Sequence, residues 1–141
     1  MSGVDPKRVT ELVVREGRRL GFHRLGVVSA GPSPRYADFL AWLARGHAGE
    51  MQYLARSPDL EARAHPRGVL PTVRSVVVGA LSYAGAPDRD TANERGARGH
   101  IARYARGDDY HHVLKRKLYA LSESLGAAFG ADIACRPCVD T

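Results

Sequence analysis

The sequence contains little cysteine: Cys135 and Cys138 are the two thiols in a chain of 141 residues. Two cysteines three positions apart cannot supply the set of disulfides that stabilises small secreted proteins. No apolar run approaches the roughly 20 residues that a membrane-spanning helix needs. The first residues, MSGVDPKRVTELV, lack the uninterrupted apolar stretch of a signal peptide. We therefore expect a cytoplasmic protein that has no membrane segment.

Lysine is also scarce, although the chain is basic. Its 21 basic residues are eighteen arginines and three lysines, and with 15 acidic residues they give a formal net charge of +6. Arginine favours planar, bidentate partners such as phosphate and carboxylate, and a positive field attracts nucleic acid and other polyanions. A GC-rich genome that encodes arginine in place of lysine would give the same composition. Charge alone leaves both interpretations open.

The order of the predicted elements indicates the fold class. A chain of this length predicts one domain, here residues 1–141. Asp5-Pro6 is typical of a helix N-terminus, residues 24–29 (RLGVVS) and 75–82 (SVVVGALS) are typical of strands, and Asp108 or Asp109 caps the longest predicted helix. Alternating helices and strands predict an α/β or α+β fold, in which helices pack on one central sheet.

Finer expectations follow from composition along the chain. The consecutive valines of residues 76–78 predict a buried strand. The polar segment from 85 to 99 has no apolar period and predicts a mobile surface loop. Residues 101–105 and 132–139 are expected to be extended. The longest helix is expected to end at Gly126 or Gly130 and to bury a set of apolar side chains, Val113, Leu114, Leu118, Leu121 and Leu125.

Cys135-Arg136-Pro137-Cys138 has the form of a Cys-x-x-Cys motif. Such a pair can be redox-active or can form half of a metal site. A thioredoxin-like site places the pair at the start of a helix, whereas this pair lies within a segment expected to be extended. A zinc or iron–sulfur site needs further ligands, and the chain has no third cysteine. The spacing is therefore most simply a coincidence.

Residues 101–111 (IARYARGDDYH) combine arginine, tyrosine, aspartate and histidine around one glycine. The segment immediately precedes the longest predicted helix, and helix N-termini with arginine nearby bind anions well. A capped helix preceded by a solvated turn would explain the same residues. Near the C-terminus, Asp140 follows a segment expected to be extended. Burial there would raise its pKa and allow it to act as a general acid, although a turn residue would fit the position equally.

Three segments, in order, resemble the N-terminal cobalamin-binding portion of the epoxyqueuosine reductase family. They are residues 49–56 (GEMQYLAR), 102–111 (ARYARGDDYH) and 136–140 (RPCVD). The stretch from 69 to 83, which contains the strand SVVV and the pair Ser82-Tyr83, also resembles the strand before the family's variable loop. The ordered set is more specific than any one segment.

The resemblance implies an oxidoreductase that removes the epoxide oxygen of epoxyqueuosine in a tRNA anticodon and so produces queuosine. It implies cobalamin as a cofactor of this portion and 4Fe–4S clusters in a ferredoxin-like domain further on, for which this chain has no ligand set. By resemblance, Asp140 matches the family's proton donor. Arg56, Arg103 and Tyr104 match segments that line the cobalamin cleft, where arginine suits phosphate and amide groups and an aromatic ring suits the corrin face.

Two departures from the family pattern affect these expectations. Cys138 stands where the family usually has an aromatic residue before the Val-Asp pair, which favours coincidence as the origin of the Cys-x-x-Cys spacing. The sequence ends one residue after Asp140, so we expect the 141-residue chain alone to be inactive. The alternatives are a non-catalytic module that binds a corrinoid, a flavin or nucleic acid, and a thiol oxidoreductase that uses Cys135 and Cys138.

Overall fold

A computed structural model describes residues 5–84, 102–130 and 133–139. Within these ranges the chain forms four α-helices and two β-strands, which in order are α1 (Pro6–Arg19), β1 (Arg24–Ser29), α2 (Tyr36–Ala44), α3 (Ser57–Ala64), β2 (Ser75–Ala80) and α4 (Tyr110–Phe129). Short 3₁₀ turns cover Gln52–Ala55, Pro66–Gly68 and Arg103–Ala105. No described helix is both long enough and apolar enough to cross a membrane.

Helix α1 begins and ends where its sequence indicates. The Lys7 backbone N–H donates to Asp5 Oδ1 at 3.0 Å, and Pro6 occupies the first turn, where its missing N–H costs nothing. After the helix ends, Gly21 adopts a positive φ of 85° that side chains disfavour. The predicted N-terminus of this helix at Asp5-Pro6 is therefore confirmed.

Strands β1 and β2 pair as a two-stranded antiparallel sheet. At one end the His23 N–H donates to the Ala80 carbonyl, and at the other the Ala30 N–H donates to the Arg74 carbonyl, both at 2.9 Å. This sheet with four helices confirms the predicted α+β class. The chain divides into two compact units, residues 1–25 with 79–141 and residues 26–78.

The first unit packs α1 against α4. Val13 of α1 is 2% exposed, and Phe22, Leu121 and Leu125 are also buried. Gly17 is buried as well, and a Cβ placed on it would lie 2.3 Å from a methyl group of Leu25, so only glycine allows that side chain to approach. The Lys117 ammonium donates to the Leu20 carbonyl at the C-terminal end of α1, where a cation also complements the helix dipole.

The second unit contains α2 and α3 with the loops around them. Leu54, in the 3₁₀ turn before α3, is its buried apolar residue among those described. On α2, the Phe39 ring stacks on the Trp42 ring with centroids 6.0 Å apart. The Ser33 N–H donates to the Ala64 carbonyl at 2.8 Å, which joins the loop before α2 to the end of α3.

Several finer predictions were wrong. Val78 is 59% exposed, because its face of the two-stranded sheet is uncovered in the described structure. Residues 103–105 form a 3₁₀ turn instead of an extended segment. Helix α4 buries Leu121 and Leu125, whereas the other predicted core residues on it, Val113, Leu114 and Leu118, are half-buried. The predicted loop from 85 to 99 lies outside the described residues.

Candidate functional site

A cleft of about 800 Å³ lies in the first unit where three segments meet. The segments are the chain after β2, the 3₁₀ turn that contains Arg103 and Tyr104, and the first turns of α4. The chain after β2 is held by a hydrogen bond that the Ser82 N–H donates to His23 Nδ1 at 3.1 Å. The lining residues are Leu81, Ser82, Tyr83, Arg103, Tyr104, Arg106, Gly107, Asp108, Tyr110, Val113 and Leu114.

Aromatic rings form a continuous row along the cleft. Tyr83 and Tyr104 meet edge to face with centroids 6.3 Å apart, and Tyr104 meets Tyr110 in the same way at 6.2 Å. The Tyr110 ring then stacks on His111 at 4.1 Å. Tyr83 is 66% exposed and Tyr104 is 55% exposed. Exposed rings held by their neighbours are suited to contact a flat, partly apolar ligand.

The charge of the cleft lining is mainly positive. Arg103 and Arg106 contribute guanidinium groups, and Asp108 is the acidic residue among the lining residues. Guanidinium groups present several N–H donors in one plane and suit phosphate, carboxylate or amide oxygens. Aromatic and cationic lining together favour a large ligand that combines a flat apolar surface with polar or anionic substituents.

Asp109 organises the N-terminus of α4 next to this cleft. Its Oδ1 accepts the His111 backbone N–H at 2.9 Å and lies 2.8 Å from His111 Nδ1. His112 Nδ1 lies 3.6 Å from Asp109 Oδ2, so both adjacent imidazoles face one carboxylate. The pKa of Asp109 is lowered from its usual value, first by the hydrogen bond with the His111 side chain and then by the His111 backbone N–H. The carboxylate is therefore held ionised as the helix cap.

The structure brings together two of the four residues that the resemblance singled out. Arg103 and Tyr104 both line the cleft. Arg56 belongs to the second unit, where it is exposed and directly precedes α3. Asp140 lies outside the described residues. The roles assigned to these four residues remain predictions.

The Cys-x-x-Cys pair lies in a segment without helix or strand, and both thiols are free and exposed. Cys138 Sγ is 3.6 Å from the Arg136 carbonyl oxygen. Within residues 5–84, 102–130 and 133–139, no three histidine, cysteine, aspartate or glutamate side chains are placed to hold a metal ion.

Sequence reasoning did not select Tyr83, Tyr110 or Arg106 as site residues. Tyr110 and Arg106 lie within residues 101–111, where charged and aromatic residues are concentrated, and that concentration could have identified them. Tyr83 lies about 20 positions earlier in the chain, and no local pattern indicates that it meets Tyr104. Only the tertiary structure places these rings in one row.

Comparison with known proteins identifies relatives of this chain. Residues 63–141 match the family model described as epoxyqueuosine reductase QueG, DUF1730. The chain is 35% identical over 150 aligned residues to the epoxyqueuosine reductase of Burkholderia pseudomallei, covering 92% of this chain and 36% of that protein. It is 40% identical over 125 residues to the enzyme of Gloeobacter violaceus, covering 84% of this chain and 34% of that protein.

The similarity covers only part of each relative. The epoxyqueuosine reductase of Escherichia coli K12 is 29% identical over 123 residues, which cover 86% of this chain and 32% of that enzyme. No solved structure matches the chain significantly. The chain thus spans about a third of the length of the curated relatives it matches. Since the matched family region covers more than half of the sequence and includes every residue that lines the cleft, the chain belongs to the epoxyqueuosine reductase QueG family.

Proposed function

We propose that this chain is the N-terminal, cobalamin-binding portion of an epoxyqueuosine reductase that acts on tRNA. The observation that carries the proposal is the family match over residues 63–141, because that region contains the whole cleft lining. The named activity of the relatives is oxidoreduction of epoxyqueuosine, a modified tRNA nucleoside. The anticodon arm of tRNA is the proposed partner, and the net charge of +6 favours a polyanion of that kind.

The residues of the cleft fit a corrinoid ligand chemically. A corrin ring presents a broad apolar face edged with amide groups, and cobalamin also carries a phosphate in its nucleotide loop. Tyr83 and Tyr104 offer exposed rings to such a face. Arg103 and Arg106 offer N–H donors to amide and phosphate oxygens. Arg103 and Tyr104 are the proposed cofactor-binding residues of this cleft, and Arg56 is the proposed one in the other unit.

The proposed reaction removes oxygen from an epoxide. One epoxide takes up two electrons and two protons, its two C–O bonds break, and the products are an alkene and water. Cobalamin, if held by the cleft, would supply reducing equivalents for the substrate, and 4Fe–4S clusters are the proposed electron source. Asp140 is the proposed donor of a proton to the departing oxygen, and general acids of this kind typically accelerate a reaction by ~10²–10⁴-fold.

Replacement of Arg103 by alanine tests the assignment of the cleft. We expect a roughly 10- to 100-fold loss of affinity for cob(II)alamin, because hydrogen bonds to charged groups contribute about 1.5–3 kcal/mol. Arg116 is the matched control, since it lies on α4, is exposed and does not line the cleft. Spectroscopic titration should show R116A binding like the original chain. Equal affinities of R103A and the original chain would remove Arg103 from the site.

A chimera tests the activity separately from binding. The 141-residue chain would be joined to the remaining two thirds of the Escherichia coli relative and assayed on tRNA that contains epoxyqueuosine. We expect the chimera to form queuosine and D140N in that chimera to retain cob(II)alamin but lose most turnover. We expect the 141-residue chain alone to give no product. Cofactor binding without turnover in the chimera would instead favour a non-catalytic binding module.

A further inference from the structure

A second cavity, of about 310 Å³, lies in the unit formed by residues 26–78. The end of β1 contributes Ser29 to its lining, the loop between β1 and α2 contributes Ser33, and the C-terminal turn of α3 contributes Arg63. Arg63 is the only charged residue among the ten that line this cavity. The lining therefore combines one guanidinium with two hydroxyl groups and no carboxylate.

Arg63 is held in place but its Nε is left without a partner. The Nε atom is buried and has no hydrogen-bond partner among the described residues. The guanidinium carbon lies 5.3 Å from the centroid of the Phe39 ring, over its face. An aromatic ring stabilises the charge of the guanidinium but offers its N–H groups no oxygen to accept a hydrogen bond.

An unpaired buried donor on a charged group is costly unless a ligand satisfies it. Some arginines in or near helices are paired with an acidic residue: Arg35, for example, lies 3.1 Å from Asp38. No described ion pair includes Arg63. Arg63 therefore provides a charged hydrogen-bond donor that an anionic oxygen could accept from.

We propose that the Arg63 cavity is a phosphate-binding subsite. A phosphate group matches the chemistry of the lining, since its oxygens accept hydrogen bonds from guanidinium and hydroxyl groups, and Arg63, Ser29 and Ser33 supply these. The site lies in the second unit and is independent of the corrinoid proposal, which concerns the Tyr83–Tyr104 cleft of the first unit. The phosphate belongs either to a small phosphorylated ligand or to the backbone of RNA.

The single tryptophan gives a direct readout of this site. Trp42 stacks on Phe39, which lies under the Arg63 guanidinium. Inorganic phosphate added to the 141-residue chain at constant pH and ionic strength should change Trp42 fluorescence saturably. Line broadening of the ³¹P resonance provides a second measurement that does not depend on tryptophan. Acetate at the same ionic strength should have a much smaller effect, because it presents two oxygens and one charge, fewer acceptors than phosphate offers to a guanidinium and two hydroxyls.

Substitution of Arg63 tests the site itself. We expect R63Q to weaken phosphate binding roughly tenfold or more, since it removes a charge-assisted contact. R63K should give an intermediate loss, because lysine keeps the charge but lacks the planar fork. Arg67 is the matched control: it is exposed, lies four residues later, and does not line the cavity. R67Q should bind phosphate like the original chain, and circular dichroism should show all three variants folded.

Several results would overturn the proposal: no saturable phosphate binding by the original chain, equal binding by R63Q, an equal loss in R67Q, or acetate binding as tight as phosphate. A short single-stranded RNA distinguishes the two sources of phosphate. RNA that displaces phosphate from the original chain, with this competition lost in R63Q, identifies nucleic-acid backbone as the ligand. RNA that fails to displace phosphate identifies a small phosphorylated ligand at the same site.

Discussion

Gly68 illustrates how a single residue can be fixed by backbone packing. It ends the 3₁₀ turn Pro66–Gly68, and a Cβ at this position would lie 2.7 Å from the backbone nitrogen of Ala62 and from the carbonyl group of Glu61. These atoms belong to α3, so they cannot turn aside as the end of a side chain can. The close approach of the turn to the helix therefore requires glycine.

We expect G68A to destabilise the chain by roughly 1–3 kcal/mol, because the added methyl group forces backbone apart. The control is G126A in α4, where a Cβ would meet nothing within 4 Å. That change should stabilise the chain by up to about 1 kcal/mol, since alanine favours helix over glycine. Urea unfolding measures both effects. A neutral G68A would contradict the close contact between the turn and α3.

Asp109 makes a pH-dependent contribution to stability. Its pKa is lowered from the ordinary value of 3.8 in the folded chain by its contacts with His111. The unfolded state therefore binds the proton more tightly, so the contribution is present above pH 3.8 and is lost as pH falls below that value towards the folded pKa. Because the carboxylate is exposed, we expect the effect to be small.

The variant D109N separates charge from capping, since asparagine is also a good N-cap. We expect D109N to unfold at a lower urea concentration than the original chain at pH 7, and the difference to shrink at pH 3. D5N serves as a control for a second N-cap aspartate, whose Oδ1 accepts the Lys7 N–H but which has no described histidine partner. A difference for D109N that is equal at both pH values would show that charge is not the cause.

At the scale of elements, the interface between α1 and α4 supplies most of the buried apolar surface that is described. Leu121 is 3% exposed and lies on α4, which packs against α1, the helix that carries the buried Val13. We expect L121A to cost about 2–5 kcal/mol, because it removes buried methyl groups and leaves a cavity. Y119A on the same helix is the control, since Tyr119 is 49% exposed. Its effect should stay within about 0.5 kcal/mol, and equal effects of the two variants would place the core elsewhere.

At the scale of the whole molecule, the chain exposes apolar side chains on its small sheet. Val28 and Val78 are 57% and 59% exposed, and the sheet has two strands in the described structure. Exposed apolar strands favour association with other chains. The double variant V28T/V78T should therefore reduce concentration-dependent light scattering while it leaves the unfolding midpoint nearly unchanged. L40Q on α2 is the control, because Leu40 is also exposed but lies outside the sheet. Scattering that falls only in L40Q would contradict a role of the sheet.

The sequence by itself determined the local elements and the family. Capping residues such as Asp5 and Asp109 act through their own neighbours, so the starts of α1 and α4 could be predicted from local patterns. The ordered segments around residues 49–56, 102–111 and 136–140 indicated the epoxyqueuosine reductase family, to which the chain belongs. Of the site, Arg103 and Tyr104 were predicted and both line the cleft.

Only the tertiary structure decided the features that depend on distant residues. Whether an apolar side chain is buried depends on what covers it, so the sequence overestimated the burial of Val78, which is more than half exposed. Tyr83 and Tyr104 are in contact although a long segment separates them in the chain, and no helical or strand periodicity of the sequence indicates that contact. The sequence could not predict that Arg63 Nε lacks a hydrogen-bond partner among the described residues, because this depends on which atoms surround it in the folded chain.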